Sequence, residues 1–207
     1  FVNTLESTGT AVMESQGSAF SSTFDYKNFD LGSSVSSLRI GKTSNSANIE
    51  VYDQVSIAGP ISIYGADVTL REDLSSSLSG ADILVKGRGD IETTASRSVL
   101  TNNGDIALWS NSDNSGGGSI VLGNDNVLNS SNGRSGDTDS GGGRITLGGG
   151  SGSGTIPTGY SSSSTGAGIK LGTSTANHTE IYSGGGDISI KGSSTVTGQV
   201  DDRDESG

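Results

Sequence analysis

Catalysis and metal binding need side chains that ionise, coordinate or attack, and this chain holds them sparingly. Its one histidine is His178, in Asn177-His178-Thr179. A Ser-His-Asp relay would have to pass through it, yet no nucleophile motif lies nearby. His178 therefore reads as a polar loop residue. The same count excludes metal sites built from several imidazoles. With no cysteine in the chain, thiolate sites and disulfides are excluded too. Oxygen ligands remain. Asp137-Thr-Asp139, Asn124-Asp125-Asn126 and Asp113-Asn114 offer the carboxylates and amides that calcium prefers. Their spacing matches neither an EF-hand loop nor the calcium-binding nonapeptide repeat, and Asp and Asn build such turns without metal. Asp125, Asp137 and Asp139 stand as calcium candidates on composition alone, and no other cofactor is implied.

Recognition chemistry has two starting points. Arg88-Gly89-Asp90 spells the tripeptide that integrins bind. However, Gly-Asp-Ile recurs at 104–106 and 186–188, so Gly89-Asp90-Ile91 is accounted for as a turn leading into a strand. The second is an aromatic set. Tyr52, Tyr64 and Trp109 each follow the second aliphatic residue of a short alternating phrase, in a column that continues Lys86, Gly123, Gly148, Gly172, Lys191. If the aliphatics point inward, this column points outward or sits at a corner. Its aromatics would then form a stacking surface for sugar rings or a partner protein, or else cover neighbouring side chains. Leu84 and Val121, apolar at middle outward positions, imply that a loop or neighbour covers one sheet face. Two sequons, at Asn129 and Asn177, read as chance matches in Asn/Ser-rich loops.

The elements that must position these residues come from one recurring phrase: Gly-Asp-Ile106-Ala-Leu108, Gly-Ser-Ile120-Val-Leu122, Gly-Arg-Ile145-Thr-Leu147, Gly168-Ile169-Lys-Leu171 and Gly-Asp-Ile188-Ser-Ile190. Period-two alternation over so few residues marks a short strand with one buried face. Earlier copies are Leu38-Arg-Ile40, Ile49-Glu-Val51, Val55-Ser-Ile57, Ile61-Ser-Ile63, Val68-Thr-Leu70 and Ile83-Leu-Val85. Between residues 49 and 70 they come so fast that successive strands must form different sides of one coil, with corners at 58–60 and 65–67. Ile61, Ile83 and Ile106 taken as equivalent give steps of 22 (61 to 83) and 23 (83 to 106) residues. Later steps of 25 (120 to 145), 24 (145 to 169) and 19 (169 to 188) suggest an interior ladder Ile120/Ile145/Ile169/Ile188. The 14 residues from Ile106 to Ile120 break that register, which puts one of the two on another side. These lengths suit a solenoid repeat. The expected fold is all-β, a right-handed parallel β-helix with Gly/Ser-rich loop insertions, its handedness taken from the rule for parallel crossovers.

Organisation follows from where the phrase occurs. Residues 1–36 lack it and hold all four Phe, and they read as an N-terminal cap or atypical first coils, or as a segment that joins a neighbouring subunit. Residues 37–200 form the solenoid. Stretches 111–118, 129–143, 149–166 and 173–179 read as loops leaving it at corners. Residues 201–207 are an acidic tail or linker. Starting at Phe1 in place of Met, the chain reads as a processed or excised product.

Composition agrees with a thin core. Hydrophobic residues are 29% and aromatics 5%, with 34 Gly and 2 Pro, which would suggest disorder but for the regular spacing of the aliphatics. The net charge of −11 repels phosphate backbones, so nucleic acid is not an expected partner. No run is long enough to insert in a membrane.

The Gly-Gly-x-Ile-x-Leu/Ile phrase, with Ser/Asn-rich loops and no cysteine, resembles the β-helical repeats of filamentous-haemagglutinin-like bacterial surface adhesins over about residues 38–200. That resemblance implies a section of a long secreted or cell-surface fibre. That family's N-terminal secretion segment is not recognisable in residues 1–36. The pectin-hydrolase β-helices, by contrast, carry Asn-Thr-Asp, Asp-Asp, Gly-His-Gly and Arg-Ile-Lys signatures. Here His178 lacks flanking glycines, Arg144-Ile145 runs into Thr146, and Asp201-Asp202 lies in the tail. The expected function is a non-catalytic structural section of an extracellular or cell-surface fibre or adhesin. It joins itself or flanking domains end to end, and any cell-surface glycan or host protein is held by loops or by the aromatic column. The alternative is a carbohydrate-binding or polysaccharide-degrading module on the same scaffold. A flat threonine array of the ice-binding kind is not formed by Thr69, Thr146 and Thr155.

Overall fold

The computed structural model describes residues 3–132, 141–163, 166–172 and 178–194. Over these the chain is all β, and three long parallel sheets form the sides of a parallel β-solenoid. The first face stacks Thr10–Met13 (β2), Ser37–Ile40 (β5), Ile61–Gly65 (β8), Ile83–Gly87 (β11), Ile106–Ser110 (β14), Ile145–Gly149 (β17) and Ile188–Ile190 (β21). The second stacks Phe24–Tyr26 (β3), Ile49–Val51 (β6), Val68–Leu70 (β9), Ile91–Thr93 (β12), Ile120–Leu122 (β15) and Ile169–Leu171 (β19). The third stacks Val55–Ile57 (β7), Leu74–Ser79 (β10), Ser98–Asn102 (β13), Val127–Asn129 (β16) and Glu180–Tyr182 (β20). Two short pairs complete it: Asn3–Leu5 (β1) on Phe29–Leu31 (β4), and Ser161–Ser163 (β18) on Gly192–Ser194 (β22). Among the described residues no helix is long and apolar enough to cross a membrane.

Alternation in each strand sends aliphatics inward, and parallel register stacks like on like. Ile61, Ile83, Ile106, Ile145 and Ile188 are directly paired on the first face, as are Ile63, Val85, Leu108, Leu147 and Ile190. On the third face Val55, Leu74, Val99, Leu128 and Ile181 form one column. Each interior residue between two coils thus meets its equivalents above and below, and a core only a few side chains wide is buried from Ala11 to Leu147. This is how 29% hydrophobic residues suffice. The steps of 22 and 23 residues between Ile61, Ile83 and Ile106 coincide with the observed register.

The expected ladder Ile120/Ile145/Ile169/Ile188 is corrected. It merges two columns: Ile145 and Ile188 belong to the first face, whereas Ile120 and Ile169 pair on the second. True steps there are 39 residues (106 to 145), 43 (145 to 188) and 49 (120 to 169). Both faces use the same Ile-x-Leu phrase, so alternation cannot tell them apart once insertions lengthen the coil. A second correction concerns 149–166, expected as a loop throughout, since Ser161–Ser163 is a strand. The stack also extends into residues 1–36, where β2 pairs β5 and β3 pairs β6 in the same parallel sense.

Corners hold the coils together, and they explain Gly-Asp-Ile. Before three second-face strands, β6, β9 and β12, the preceding residue's side chain accepts the backbone N–H of its equivalent in the next coil: Asp67 N donates to Asn48 Oδ1 at 3.1 Å, Asp90 N to Asp67 Oδ1 at 2.9 Å and Ser119 N to Asp90 Oδ1 at 2.7 Å. The corner before the first face repeats this, with Asp105 N on Asp82 Oδ1 at 2.8 Å and Arg144 N on Asp105 Oδ1 at 2.7 Å. One residue earlier stand Gly104, Gly143 and Gly186, where a Cβ would collide with the backbone of the coil beneath. Hydroxyls close the same corner: Thr101 Oγ1 donates to Gly104 O, Ser130 Oγ to Gly143 O and Ser183 Oγ to Gly186 O, each at 2.6 Å. The Ser130–Gly143 bond spans 13 residues and the other two span 3. An insertion of any length can leave from a corner pinned in this way, because loop closure costs little more as length grows.

Candidate functional site

The outer side of the first face is where sequence-selected residues gather. Register places Tyr64, Lys86 and Trp109 directly beside one another on β8, β11 and β14. Trp109 is only 1% exposed, because residues 149–160 fold back across it. Gly149 and Gly159 bridge antiparallel, exchanging N–H···O bonds of 3.2 and 3.0 Å. The indole Nε1–H donates to Gly150 O at 2.6 Å. Lys86 Nζ sits 3.5 Å from the centre of the Trp109 ring and donates to Gly152 O at 2.9 Å. The ring quadrupole and that carbonyl replace part of the ammonium's hydration, and burial pulls the Lys86 pKa below its ordinary value. Gly148, level with Trp109 in the next strand, leaves space against which Pro157 packs.

Trp109 is therefore no exposed platform, and the aromatic column is corrected on two counts. Its tryptophan is sealed by the chain's own flap, and Tyr52 lies on a different side of the coil. Tyr52 follows β6 at the corner leaving the second face, between Lys27 Nζ at 5.1 Å and Arg71 Cζ at 5.0 Å. Arg71 also pairs with Glu50 at 2.7 Å. Hydrogen bonds from the Tyr52 hydroxyl and the Arg71 guanidinium hold the Glu50 carboxyl below the usual carboxylate range, and the Tyr52 hydroxyl is raised in turn. The Tyr52 ring is thus attended by two cations of the chain itself. Tyr64 remains half-buried beside the flap, on the wall between two grooves. Leu84, read as a covered outward residue, is indeed buried beside the flap residue Ile156.

Arg88-Gly89-Asp90 is woven into the corner. Arg88 Nε donates to Asp113 Oδ2 at 3.0 Å, Gly89 N to Ala66 O at 2.9 Å, and Asp90 Oδ1 accepts both the N–H and the hydroxyl of Ser119. The tripeptide is a structural corner, with no projecting loop. Asp137 and Asp139 lie outside the described residues. Asp125 occupies the left-handed region, φ 55°, in the turn before β16. Among the described residues no group of three or more His, Cys, Asp or Glu is placed to hold a metal ion. His178 is exposed.

Sequence reasoning found only Val55–Ile57 of the third face and missed its groove. Between β10, β13 and β16 lies a groove of about 520 Å³ whose described lining includes Ser75, Ser77, Asn102 and Asn132 over an apolar floor of Leu100 and Val127. None of its described lining residues is charged. Asn102 Nδ2 donates to Ser77 O at 3.0 Å, whereas the buried Asn102 Oδ1 has no hydrogen-bond partner. Leu74-Ser-Ser-Ser-Leu-Ser alternates too weakly to flag this face, and only stacking on Val55 and Val99 reveals it.

The chain matches no family model, no curated protein and no solved structure. The functional reading rests on geometry.

Proposed function

We propose that the chain is a non-catalytic structural section of an extracellular or cell-surface fibre or adhesin, of the filamentous-haemagglutinin-like kind that its repeated phrase resembles. The observation that carries this reading is axial bonding. The sheets of seven and six strands run hydrogen bonds from coil to coil along the described stack, the sheet of five does so from β7 onward, and the corner side chains add further bonds along the axis. Tension along the axis is then shared by many backbone bonds at once. The last described coil leaves Leu171, Ile188 and Ile190 exposed at 41–48%, beside strand edges that accept further pairing. A coil of a second copy or of a flanking stretch suits that position. Electron microscopy of the purified protein tests this: filaments with an axial repeat of roughly 4.8 Å, unaltered by calcium chelation, support it. Short isolated rods at all concentrations overturn it.

A second reading has one observation in its favour. The uncharged groove on the third face combines hydroxyls, amides and an apolar floor, which suits a neutral glycan. Its described lining offers no carboxylate pair of the kind glycoside cleavage uses, so the reading is binding. A glycan array, repeated with Asn102→Ala, tests it. Retained binding in the variant would remove the groove from consideration.

A further inference from the structure

On the first face, the flap also creates a crevice whose chemistry differs from everything around it. It has a volume of about 220 Å³ between the flap residue Ile156 and the sheet residues Ser62, Tyr64, Leu84 and Ala107, with Asp82 at its rim. Leu84, Ala107 and Ile156 stand in its lining, so the floor is apolar. The rim belongs to the corner row Asp82, Asp105, Arg144, Asp187. Arg144 pairs with Asp105 at 2.8 Å, and its guanidinium is also held charged by Asp187 and Asp82. Three carboxylates against one guanidinium leave the row negative. Asp82 is exposed and forms no salt bridge among the described residues. On the other side of the flap, the larger groove near Lys86 and Arg88 has cations in its lining, so only one side of the flap invites a positive group.

From these features we infer that the crevice is a docking point for a lysine side chain of a basic polypeptide partner. The space admits one long side chain and excludes a helix about 10–12 Å across. Lysine matches it in two parts. Its methylene stem covers the apolar floor of Leu84, Ala107 and Ile156, and its ammonium reaches the water-exposed rim at Asp82. The net charge of −11 steers a cationic partner toward the molecule as a whole, and the crevice supplies the place where it stops. This binding is independent of whether the chain forms fibres.

The probe is a fluorophore-labelled hexalysine peptide, followed by fluorescence anisotropy at low and at physiological salt. Wild type binds with an affinity that falls as salt rises. Ala107→Leu and Ser62→Leu fill the crevice without altering charge, and each weakens binding by at least about tenfold. Ser62 lies on the outer surface of β8, so this variant remains informative if Ala107→Leu fails to fold. Asp82→Asn weakens binding by about fivefold, and Glu92→Gln, an equal charge change on the second face, by less than about twofold. Unimpaired binding by the crevice-filled variants, or equal losses in Asp82→Asn and Glu92→Gln, would show diffuse charge attraction and overturn the inference. So would failure of the wild type to bind.

Discussion

Two coils of this molecule carry the same phrase with opposite burial. In the coil of β17, Ile145 and Leu147 are completely buried. In the coil of β21, directly stacked on it, Ile188 and Ile190 are 48% and 44% exposed. Both phrases are aliphatic-x-aliphatic with the same alternation, and the hydrogen-bond register is continuous. The difference is that β17 has a described strand on each side and β21 has one on only one side. Burial in a solenoid is thus a property of a coil's neighbours, and stability is a sum of contacts between successive coils. An aliphatic residue on one strand is half a contact until the next coil arrives.

The sharpest way to break this comparison is to truncate equivalent residues. Leu108→Ala removes a fully buried side chain between two coils and is expected to cost about 2–5 kcal/mol. Ile190→Ala, in the same column, is expected to cost under ~1 kcal/mol, because much of its surface is already in water. Urea denaturation of both variants checks this, and equal losses would mean that another element covers the β21 coil in solution. Next in size are the corner glycines. Gly143→Ala and Gly186→Ala each force a methyl against the backbone of the coil beneath. The central substitution should lower global stability by about 1–3 kcal/mol, whereas the outer one should mainly loosen β21. Hydrogen exchange resolves the two: Gly143→Ala weakens protection throughout, and Gly186→Ala weakens it only around residues 180–194.

Smallest is a change at the opposite end. Tyr26 is buried against Phe29 with a hydroxyl that has no partner. Tyr26→Phe should therefore be neutral or stabilising by up to ~1 kcal/mol, read from the same denaturation curves. Desolvation, with Asp53 and Asp30 nearby, holds the Tyr26 phenol well above its ordinary value of 10.0. Above about pH 10 the unfolded chain loses this proton while the folded chain keeps it. Stability conferred by the neutral phenol is therefore present below pH 10 and declines as pH rises beyond it. Tyr26→Phe should flatten that alkaline decline, measured by thermal melts between pH 9 and pH 11.

Much of the fold was legible because a strand two residues deep reports its own buried face. The phrases at 49–51, 55–57, 61–63 and 68–70 fall on the second, third, first and again second faces, successive phrases lying on different sides as their spacing required. Legibility failed where side identity or a distant partner decided the matter. Ile120 and Ile145 look alike and belong to different faces. Strands such as Ser98–Asn102 and Ser161–Ser163 are polar enough to read as loop, and their neighbours hold them in place. Residues 10–31 use Phe24 and Tyr26 where later coils use aliphatics. The fate of Trp109 was hidden for the same reason. Its position was correct, but its cover comes from a Gly/Ser stretch about 40 residues later, which carries no alternation. Tyr52 was misassigned to that column because both positions follow an aliphatic pair, and only pairing partners separate them.

The corner bonds also have a direction. At the two corners described, the side-chain acceptor belongs to the earlier coil and the N–H to the later one, whereas the backbone carbonyl of the later residue accepts from the earlier coil. At these two corners each coil therefore offers a different set of groups to the coil after it than to the coil before it. Every coil pairs with the next in the same parallel sense, so a head-to-tail joint, and not a two-fold symmetric one, extends the pattern. Any assembly continued through these corners is a vector: its two tips are chemically different, and it can be capped at one without blocking the other.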